Sequence, residues 1–175
     1  MIKWQPFVFD NQCYDLSHLH PFRMEHRQSA DGKGNPERRY QFEVCFSLHC
    51  FTKTNLGSEN ANLLYGDNRE MREFCFERYE LSKNLPDIIR NIFDKNCYHT
   101  GHSNYFLVEF IDRQGTKTNY EVYFSVSRHQ KGLLNLFIQS AYPRTKQPVS
   151  KNKKPIRFRV IAHNTLNNKP IKLPT

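Results

Sequence analysis

The chain of 175 residues has the length of one domain and can bury a hydrophobic core without needing disulfides or a structural metal. Its apolar runs are far shorter than the roughly 20 residues that span a bilayer. The first residues, Met1 to Pro6, lack the basic and then apolar layout of a secretory signal. We therefore expect one domain over residues 1–175, with no membrane segment and no export.

The cysteines are odd in number, scattered, and contain no C-x-x-C pair. They are Cys13, Cys45, Cys50, Cys75 and Cys97. This usage favours free thiols in a reducing compartment over a disulfide framework. The sequence thus predicts a cytoplasmic protein, and it indicates no cofactor.

The positive charge is concentrated in the last third of the chain. Of the 26 basic residues, eleven follow Glu121, and no acidic residue does, although the formal charge of the whole chain is only +9. A surface of one sign attracts polyanions, because each neutralised phosphate releases counterions. Nucleic acid is favoured over membrane, since this segment lacks the pattern of an amphipathic basic helix. A purely solubilising surface is the alternative.

The first part of the chain, residues 1–81, shows strands and loops without a chemical motif. Residues 40–50 alternate apolar and polar side chains, the period of a half-buried strand. The segment from Arg72 to Leu81 predicts a second, less regular strand.

The second part, residues 82–163, begins with the best helix. Pro86 suits a first helical position, and the apolar spacing carries the helix to about Asn96. Apolar alternation then predicts strands near residues 106–111, 120–126 and 134–142, separated by turns. A last strand over 156–160 would place Arg157 and Arg159 on one exposed face. The resulting fold class is α+β: an antiparallel β-meander with one short helix packed on it and further N-terminal strands, followed by a flexible tail over 164–175.

The strand that ends at Ser140-Ala141-Tyr142-Pro143 carries the strongest functional signal. Period 2 puts Ser140 and Tyr142 on the face of Leu136 and Ile138, and Pro143 cannot continue a central ladder. A hydroxyl and a phenol at a sheet edge could hold a phosphate oxygen and stack a base. The alternative is that Tyr142 is a buried aromatic residue whose hydroxyl bonds a carbonyl.

The segment Leu136 to Pro143 resembles the closing strand of the barnase/EndoU/colicin/RelE-like nucleases, in which an apolar strand ends in a Ser/Thr-Ala-Tyr-Pro motif. Among these nucleases, the phage and prophage members are the most similar to this segment. The resemblance covers about a third of the chain, residues 86–143. It implies RNA cleavage by two histidines and a lysine, with Ser140 and Tyr142 in the substrate site.

The histidines nearest to this pattern are His99 and His102, in a turn that Gly101 makes flexible. Metal-independent RNA cleavage needs a base for the 2′-hydroxyl and an acid for the leaving oxygen, and imidazole suits both tasks. The two histidines lie closer together than in EndoU members, so Tyr142 or an arginine must share the work if only one of them acts. Ordinary loop polarity is one alternative for this pair. Zinc binding by Cys97, His99 and His102 is another, which the missing fourth ligand disfavours.

The cleavage reaction also needs cations on the phosphate. The candidates in the acid-free third of the chain are Arg128, Lys131, Arg144, Arg157 and Arg159.

The sequence therefore predicts a metal-independent endoribonuclease of toxin or phage-defence type that leaves 2′,3′-cyclic phosphate and 5′-hydroxyl ends. A non-catalytic RNA-binding module using the same basic third is the alternative. Both interpretations accept an acidic protein partner such as an antitoxin or immunity protein.

Overall fold

The computed structural model describes residues 2–30, 32, 34, 36–55, 61–101, 105–110, 119–130, 132–144 and 154–172, with backbone alone for 105–110, 119 and 130. Twelve strands and three α-helices lie within these residues. The strands are β1 (Phe7–Phe9), β2 (Gln12–Tyr14), β3 (Phe22–Gln28), β4 (Arg38–Phe46), β5 (Thr52–Lys53), β6 (Leu64–Gly66), β7 (Met71–Phe74), β8 (Asn96–His99), β9 (Tyr105–Phe110), β10 (Asn119–Gln130), β11 (Leu133–Arg144) and β12 (Ile156–Arg157). The helices are α1 (Phe76–Ser82), α2 (Leu85–Arg90) and α3 (Phe158–Leu166).

A seven-stranded sheet in the order β12-β8-β9-β10-β11-β4-β3 forms the main layer. Its strands pair antiparallel except for β11 and β4, which run parallel. The predicted antiparallel meander is therefore confirmed in β8 to β11, and the α+β class with it. The parallel contact joins this meander to the N-terminal strand pair β3–β4.

Helix α3 covers one face of the sheet. Phe158, Ile161 and Ala162 are fully buried at the i, i+3, i+4 spacing of an apolar helix face. The Phe158 ring lies 5.6 Å from that of Phe124 and 5.7 Å from that of Phe42. The core therefore lies between α3 and this side of the sheet.

The predicted strand over residues 156–160 is wrong, because pairing ends at Arg157 and the helix begins at Phe158. Five residues are too few to distinguish the period of a strand, 2 residues, from that of a helix, 3.6 residues. Apolar side chains at Ile156 and Phe158 are compatible with either. Arg157 and Arg159 therefore do not share a strand face. Asn164, where the sequence predicts a tail to begin, lies within α3.

The small sheet β5-β7-β6 and helix α1 replace the strand predicted over Arg72 to Leu81. Strand β7 ends at Phe74, and the helix starts two residues later. A cluster of aromatic rings joins these elements to the N-terminal hairpin β1–β2, with the rings of Phe7 and Phe74 stacked at 4.0 Å. This cluster is the second half of the core.

Helix α2 begins at Leu85, with Pro86 in its first turn, close to the predicted start. It ends at Arg90 rather than near Asn96. Ile92 and Phe93 are still buried, in the turns that follow the helix. The apolar spacing therefore continues past the end of the helix because the following turns pack on the same core.

A β-bulge interrupts β11 at Gln139, where Phe124 pairs with Ile138 but Tyr123 pairs with Ser140. The turn after β4 supports the bulge: the Ser47 amide donates to the Ile138 carbonyl at 3.0 Å, and the Ser47 hydroxyl donates to the Gln139 carbonyl at 2.8 Å. A bulge places two residues opposite one and moves the alternation of faces by one residue. Ala141 is therefore the fully buried residue that continues the row of Leu136 and Ile138.

Within the described residues, none of the helices has both the length and the apolar character needed to cross a bilayer.

Candidate functional site

Ser140 and Tyr142 lie on the side of the sheet opposite α3. The predicted face, shared with Leu136 and Ile138, is wrong because the Gln139 bulge intervenes. Ser140 and Tyr142 still share one face of the sheet, as predicted, because the bulge precedes both residues. Their direct partners on β10 are Tyr123, opposite Ser140, and Glu121, opposite Tyr142.

Glu121 is a fully buried carboxylate in this row. The Arg144 Nε lies 2.7 Å from Glu121 Oε1, and the Tyr123 hydroxyl donates to Oε2 at 2.8 Å. Among the described residues, none donates an aligned hydrogen bond to Oε1, so Arg144 compensates it by charge and proximity rather than by a linear N–H bond. A buried carboxylate without a counterion is costly by several kcal/mol, so we infer that this ion pair holds β10 and β11 together here.

Tyr142 lies against side chains from two other elements, Tyr123 of β10 and Arg78 of α1. Its ring stacks on that of Tyr123, with centroids 5.4 Å apart and planes 21° from parallel. Arg144 follows two residues later on the same strand, so its guanidinium lies beside the Tyr142 side chain. The Arg78 Cζ from α1 lies 5.1 Å from the Tyr142 ring centroid, within cation–π range.

The protonation of Tyr123 follows from its surroundings. Burial, the neighbouring Tyr142 hydroxyl and the hydrogen bond to Glu121 raise the pKa of Tyr123 well above that of a free phenol. Tyr123 therefore stays protonated at neutral pH and remains a donor to the carboxylate.

Arg78 is fixed by the backbone beneath it. Its Nη1 donates to the Thr52 carbonyl at 2.6 Å and to the His49 carbonyl at 3.3 Å. This anchoring pre-orders the guanidinium beside Tyr142. We call Arg78, Glu121, Tyr123, Ser140, Tyr142 and Arg144 the tyrosine–arginine cluster.

The sequence interpretation missed Arg78, Glu121 and Tyr123 as site residues. Tyr123 and Glu121 occupy the outward row of the β10 alternation, and Glu121 is the last acidic residue of the chain. These two features of the sequence could have identified Glu121 and Tyr123 as candidate site residues. Nothing local marks Arg78, because α1 reaches the cluster only through tertiary packing.

Two comparisons with known proteins bear on this chain. The model of the YjaZ family matches residues 6–166, which include the whole tyrosine–arginine cluster. The chain is also 35% identical over 178 residues to Protein YjaZ of Escherichia coli (strain K12), covering 99% of this chain and 96% of that protein.

The chain belongs to the YjaZ family. No solved structure matches it significantly. The resemblance of residues 86–143 to nucleases is independent of this membership and stays a prediction.

In this YjaZ-family chain, three predicted site residues converge: Ser140, Tyr142 and Arg144. His99 does not join them. It ends β8, three strands from β11 in the sheet order, a separation of about 14 Å at the usual strand spacing. Its register row leads through β9 to Phe124 and Ile138 on the α3 side, and its Nδ1 accepts from the Gly101 amide at 3.0 Å. The catalytic role of His99 stays a prediction that this geometry does not support.

The other predicted residues also lie apart from the cluster. Arg128 is exposed opposite Leu134, eight residues along β11 from Tyr142 and so about 26 Å away. Arg157 lies in β12 at the sheet edge, and Arg159 lies in α3, 3.9 Å from Asp94. His102 and Lys131 lie outside the described residues.

The YjaZ-family chain holds no group of three His, Cys, Asp or Glu side chains placed for a metal ion in the part that the structure describes. The third ligand of the zinc alternative, His102, lies outside that part.

Proposed function

We propose that this YjaZ-family protein is a metal-independent endoribonuclease that leaves 2′,3′-cyclic phosphate and 5′-hydroxyl ends. The observation that carries the proposal is the partly exposed Tyr142, with the guanidinium of Arg78 against its ring and the Glu121–Arg144 ion pair beside it on β10 and β11. A phenol between two fixed cations offers both proton transfer and stabilisation of phosphate charge.

Each of these groups has a task in the reaction. Negative charge builds up on the non-bridging phosphate oxygens as the 2′-oxygen attacks, and guanidinium groups that are already oriented stabilise it without reorganisation. Arg144 is paired with Glu121 through its Nε, and its side chain is 26% exposed. Tyr142 exchanges a proton with the substrate, and Ser140, on the same face, positions a phosphate or sugar oxygen.

Two features of the sequence support RNA as the substrate. The part of the chain after Glu121 has no acidic residue, which attracts a polyanion to this third of the chain. The Leu136 to Pro143 segment resembles the closing strand of the barnase/EndoU/colicin/RelE-like nucleases, including their toxin and phage-defence members.

Non-catalytic RNA binding is the second candidate, and specific observations favour it. Glu121 is fully buried, and the Nη1 of Arg78 donates to two backbone carbonyls. Both groups therefore hold the protein structure around Tyr142 rather than contacting a ligand directly. His99 is also too distant to complete an acid–base pair with Tyr142. Stacking and cation contacts alone would suffice for binding.

Incubation of the purified protein with mixed RNA in excess EDTA tests the proposal, with the chemistry of the new ends as the measurement. We expect cyclic-phosphate and 5′-hydroxyl ends from the wild type and a loss of about 100-fold or more in Tyr142→Phe, because general acid–base catalysis contributes at least that factor. Tyr14→Phe, which removes a hydroxyl that donates to Gln12 Oε1 within the β1–β2 hairpin, is the matched control and should keep full activity.

The possible outcomes separate the candidates. RNA binding by the wild type without cleavage under any condition favours the non-catalytic module. Cleavage that Tyr142→Phe leaves unchanged would place the active site elsewhere.

We also propose a cytoplasmic protein that an acidic partner, such as an antitoxin or immunity protein, could inhibit by covering the cluster. The positive last third of the chain supports this. Co-purification of a small acidic protein that blocks the EDTA-resistant cleavage is the expected result. Full activity in the presence of every co-purifying protein would contradict it.

A further inference from the structure

We propose that the sheet face opposite α3 binds single-stranded RNA and that a base of this strand stacks on the ring of Phe137. The inference rests on the proposed action on RNA, and it names the form of the substrate and the place where it lies beyond the tyrosine–arginine cluster. We call this side of β10 and β11 the open face, and it presents Tyr123, Ser125, Ser127, Asn135 and Phe137.

Phe137 points away from the hydrophobic core. It lies between Leu136 and Ile138, which are fully buried on the α3 side, so the alternation of the strand turns its ring to the open face. The Phe137 side chain is partly exposed, and it belongs neither to the buried core nor to the apolar residues packed against that core. Among the described residues, no aromatic ring stacks on it. Its ring is therefore available to a flat ligand.

The tyrosines of the cluster are less available for stacking. The Tyr142 ring already stacks on that of Tyr123, and the Arg78 Cζ lies 5.1 Å from its centroid. Phe137 lies opposite Ser125, which is two residues from Tyr123 along β10, so the two rows are about 7 Å apart. A nucleotide whose base stacks on Phe137 can therefore have its neighbour at the cluster.

Polar side chains surround Phe137 on the open face. Ser125 lies directly opposite it, and the next row pairs Asn135 with Ser127. Ser125 and Asn135 are partly exposed, and Ser127 is exposed. Hydroxyl and amide groups both donate and accept hydrogen bonds, as the edge of an unpaired base requires. The face thus offers an aromatic ring and hydrogen-bonding groups side by side.

The charges on this side of the sheet suit a phosphate backbone. Two buried carboxylates lie there, Glu43 and Glu121, and each is paired with an arginine. The Arg23 Nε is 3.4 Å from Glu43 Oε1, and the Arg23 side chain is 75% exposed whereas that of Glu43 is 8% exposed. Arg144 is likewise the more exposed member of its pair with Glu121. The arginines meet solvent and the carboxylates hardly do, so the side presents positive charge to a polyanion.

Stacking on Phe137 distinguishes a single strand from a duplex. In duplex RNA the bases stack on each other and their flat faces are covered, whereas unpaired bases can stack on aromatic side chains. We therefore expect the protein to bind a short 2′-O-methyl oligouridylate more tightly than a duplex of the same length. The 2′-O-methyl group removes the nucleophile of the proposed cleavage, so binding is measured without reaction.

Phe137→Leu tests the stacking contact, because leucine keeps an apolar side chain and removes the aromatic ring. We expect the Kd for the oligouridylate, measured by fluorescence anisotropy, to rise about tenfold, the effect of losing one base–aromatic stack. Phe9→Leu is the matched control, since Phe9 is also partly exposed but lies in the separate sheet β1–β2. It should bind like the wild type.

Phe137→Trp gives a second readout at the same position. The native chain has one tryptophan, Trp4, which is buried, so the added indole supplies a separate signal on the surface. Stacking of a base should quench this added fluorescence, and Phe9→Trp should show no such quenching. The Kd of Phe137→Trp should stay close to that of the wild type, because an aromatic ring is still present.

The outcomes separate this inference from the proposed endoribonuclease. An unchanged Kd in Phe137→Leu together with no quenching in Phe137→Trp overturns the stacking site, and the endoribonuclease stands if the wild type still cleaves RNA in EDTA. Weaker binding by Phe137→Leu in a protein that never cleaves RNA supports the stacking site and overturns the endoribonuclease. Equal affinity for the duplex overturns the single-stranded substrate. A wild type without affinity for the oligouridylate, but with a dimer that Phe137→Leu dissociates, would assign the open face to a second copy and overturn the proposal.

Discussion

Glu121 is the residue on which the tyrosine–arginine cluster depends. Its carboxylate is fully buried, and Arg144 supplies the opposing charge at 2.7 Å. Burying a lone carboxylate is far more costly than burying a paired one, so the two residues form one energetic unit. The alternation along β10 predicts that Glu121 points away from Val122, but it does not predict that Glu121 is buried.

Replacing Arg144 by alanine should therefore destabilise the protein by about 3 kcal/mol, because it leaves the Glu121 charge buried without its counterion. Urea denaturation followed by tryptophan fluorescence measures the effect. Adding Glu121→Gln to the same chain should recover part of the loss, since the charge is then gone.

Arg159→Ala is the matched control. Arg159 lies 3.9 Å from Asp94, and both side chains are largely exposed, so its loss should cost less than about 1 kcal/mol. Equal losses for the two arginine variants would contradict the assigned role of Arg144.

At the scale of elements, one extra residue in β11 decides which side of the sheet carries the site. Without the Gln139 bulge, strict alternation from Ile138 would point Ser140 and Tyr142 towards α3. A periodicity analysis assumes that each residue of a strand lies opposite one residue of its neighbour, so it does not detect a β-bulge, in which two residues lie opposite one. The bulge itself depends on Ser47, which is distant in sequence and donates to the carbonyls of Ile138 and Gln139.

Deleting Gln139 should be tolerated, because it removes the extra residue and keeps every other residue on its present face. We expect a loss of about 1 kcal/mol, the size of one hydrogen bond such as that from Ser47 to the Gln139 carbonyl.

Deleting Phe137, in the regular part of β11, is the control. It would turn Ile138 outward and Gln139 inward, and should cost at least about 3 kcal/mol through the lost apolar burial and the buried amide. Denaturation midpoints of the two deletions measure the difference, and similar losses would count against the bulge as the cause.

At the scale of the whole molecule, three partly buried histidines link stability to pH. Burial lowers the pKa of His18, whose Nε2 lies 2.8 Å from Ser82 Oγ, and of His26, whose ring stacks 3.5 Å from that of Phe93. Burial, followed by the charges of Arg38 and Lys169, lowers the pKa of His163. These three histidines join the N-terminal region, the sheet and α3.

The sign of the effect follows from linkage. A histidine whose pKa is lowered on folding binds its proton more readily in the unfolded chain. Its contribution to folding stability is therefore complete above pH 6.5, the ordinary pKa of histidine. That contribution is lost as the pH falls through the lowered pKa of the folded state. We expect a lower urea midpoint at pH 5.5 than at pH 7.5. A midpoint that stays constant or rises on acidification would refute the linkage.

His163→Gln should reduce that pH dependence, since it keeps an acceptor beside Arg38 and Tyr40 but does not titrate.

Much of the architecture could be predicted from the sequence. The α+β class, the meander β9–β10–β11, the apolar row of β4 and the start of α2 all follow from local apolar periodicity. Of the candidate site, the sequence predicted Ser140, Tyr142 and Arg144, which are neighbours on one strand. The relative positions of residues on a single strand follow from strand geometry alone, so they can be predicted without knowing the tertiary structure.

What the sequence alone determined is therefore local: which segments alternate, where the positive charge lies, and that Ser140 and Tyr142 share a face. Tertiary structure decided which face that is, through a bulge supported by Ser47, and which partners meet there. Arg78 from α1 and Glu121 from β10 join Tyr142, whereas His99 stays three strands away. The reason is physical: periodicity records which side of an element is buried, whereas contacts between distant elements depend on register and packing that no short segment encodes.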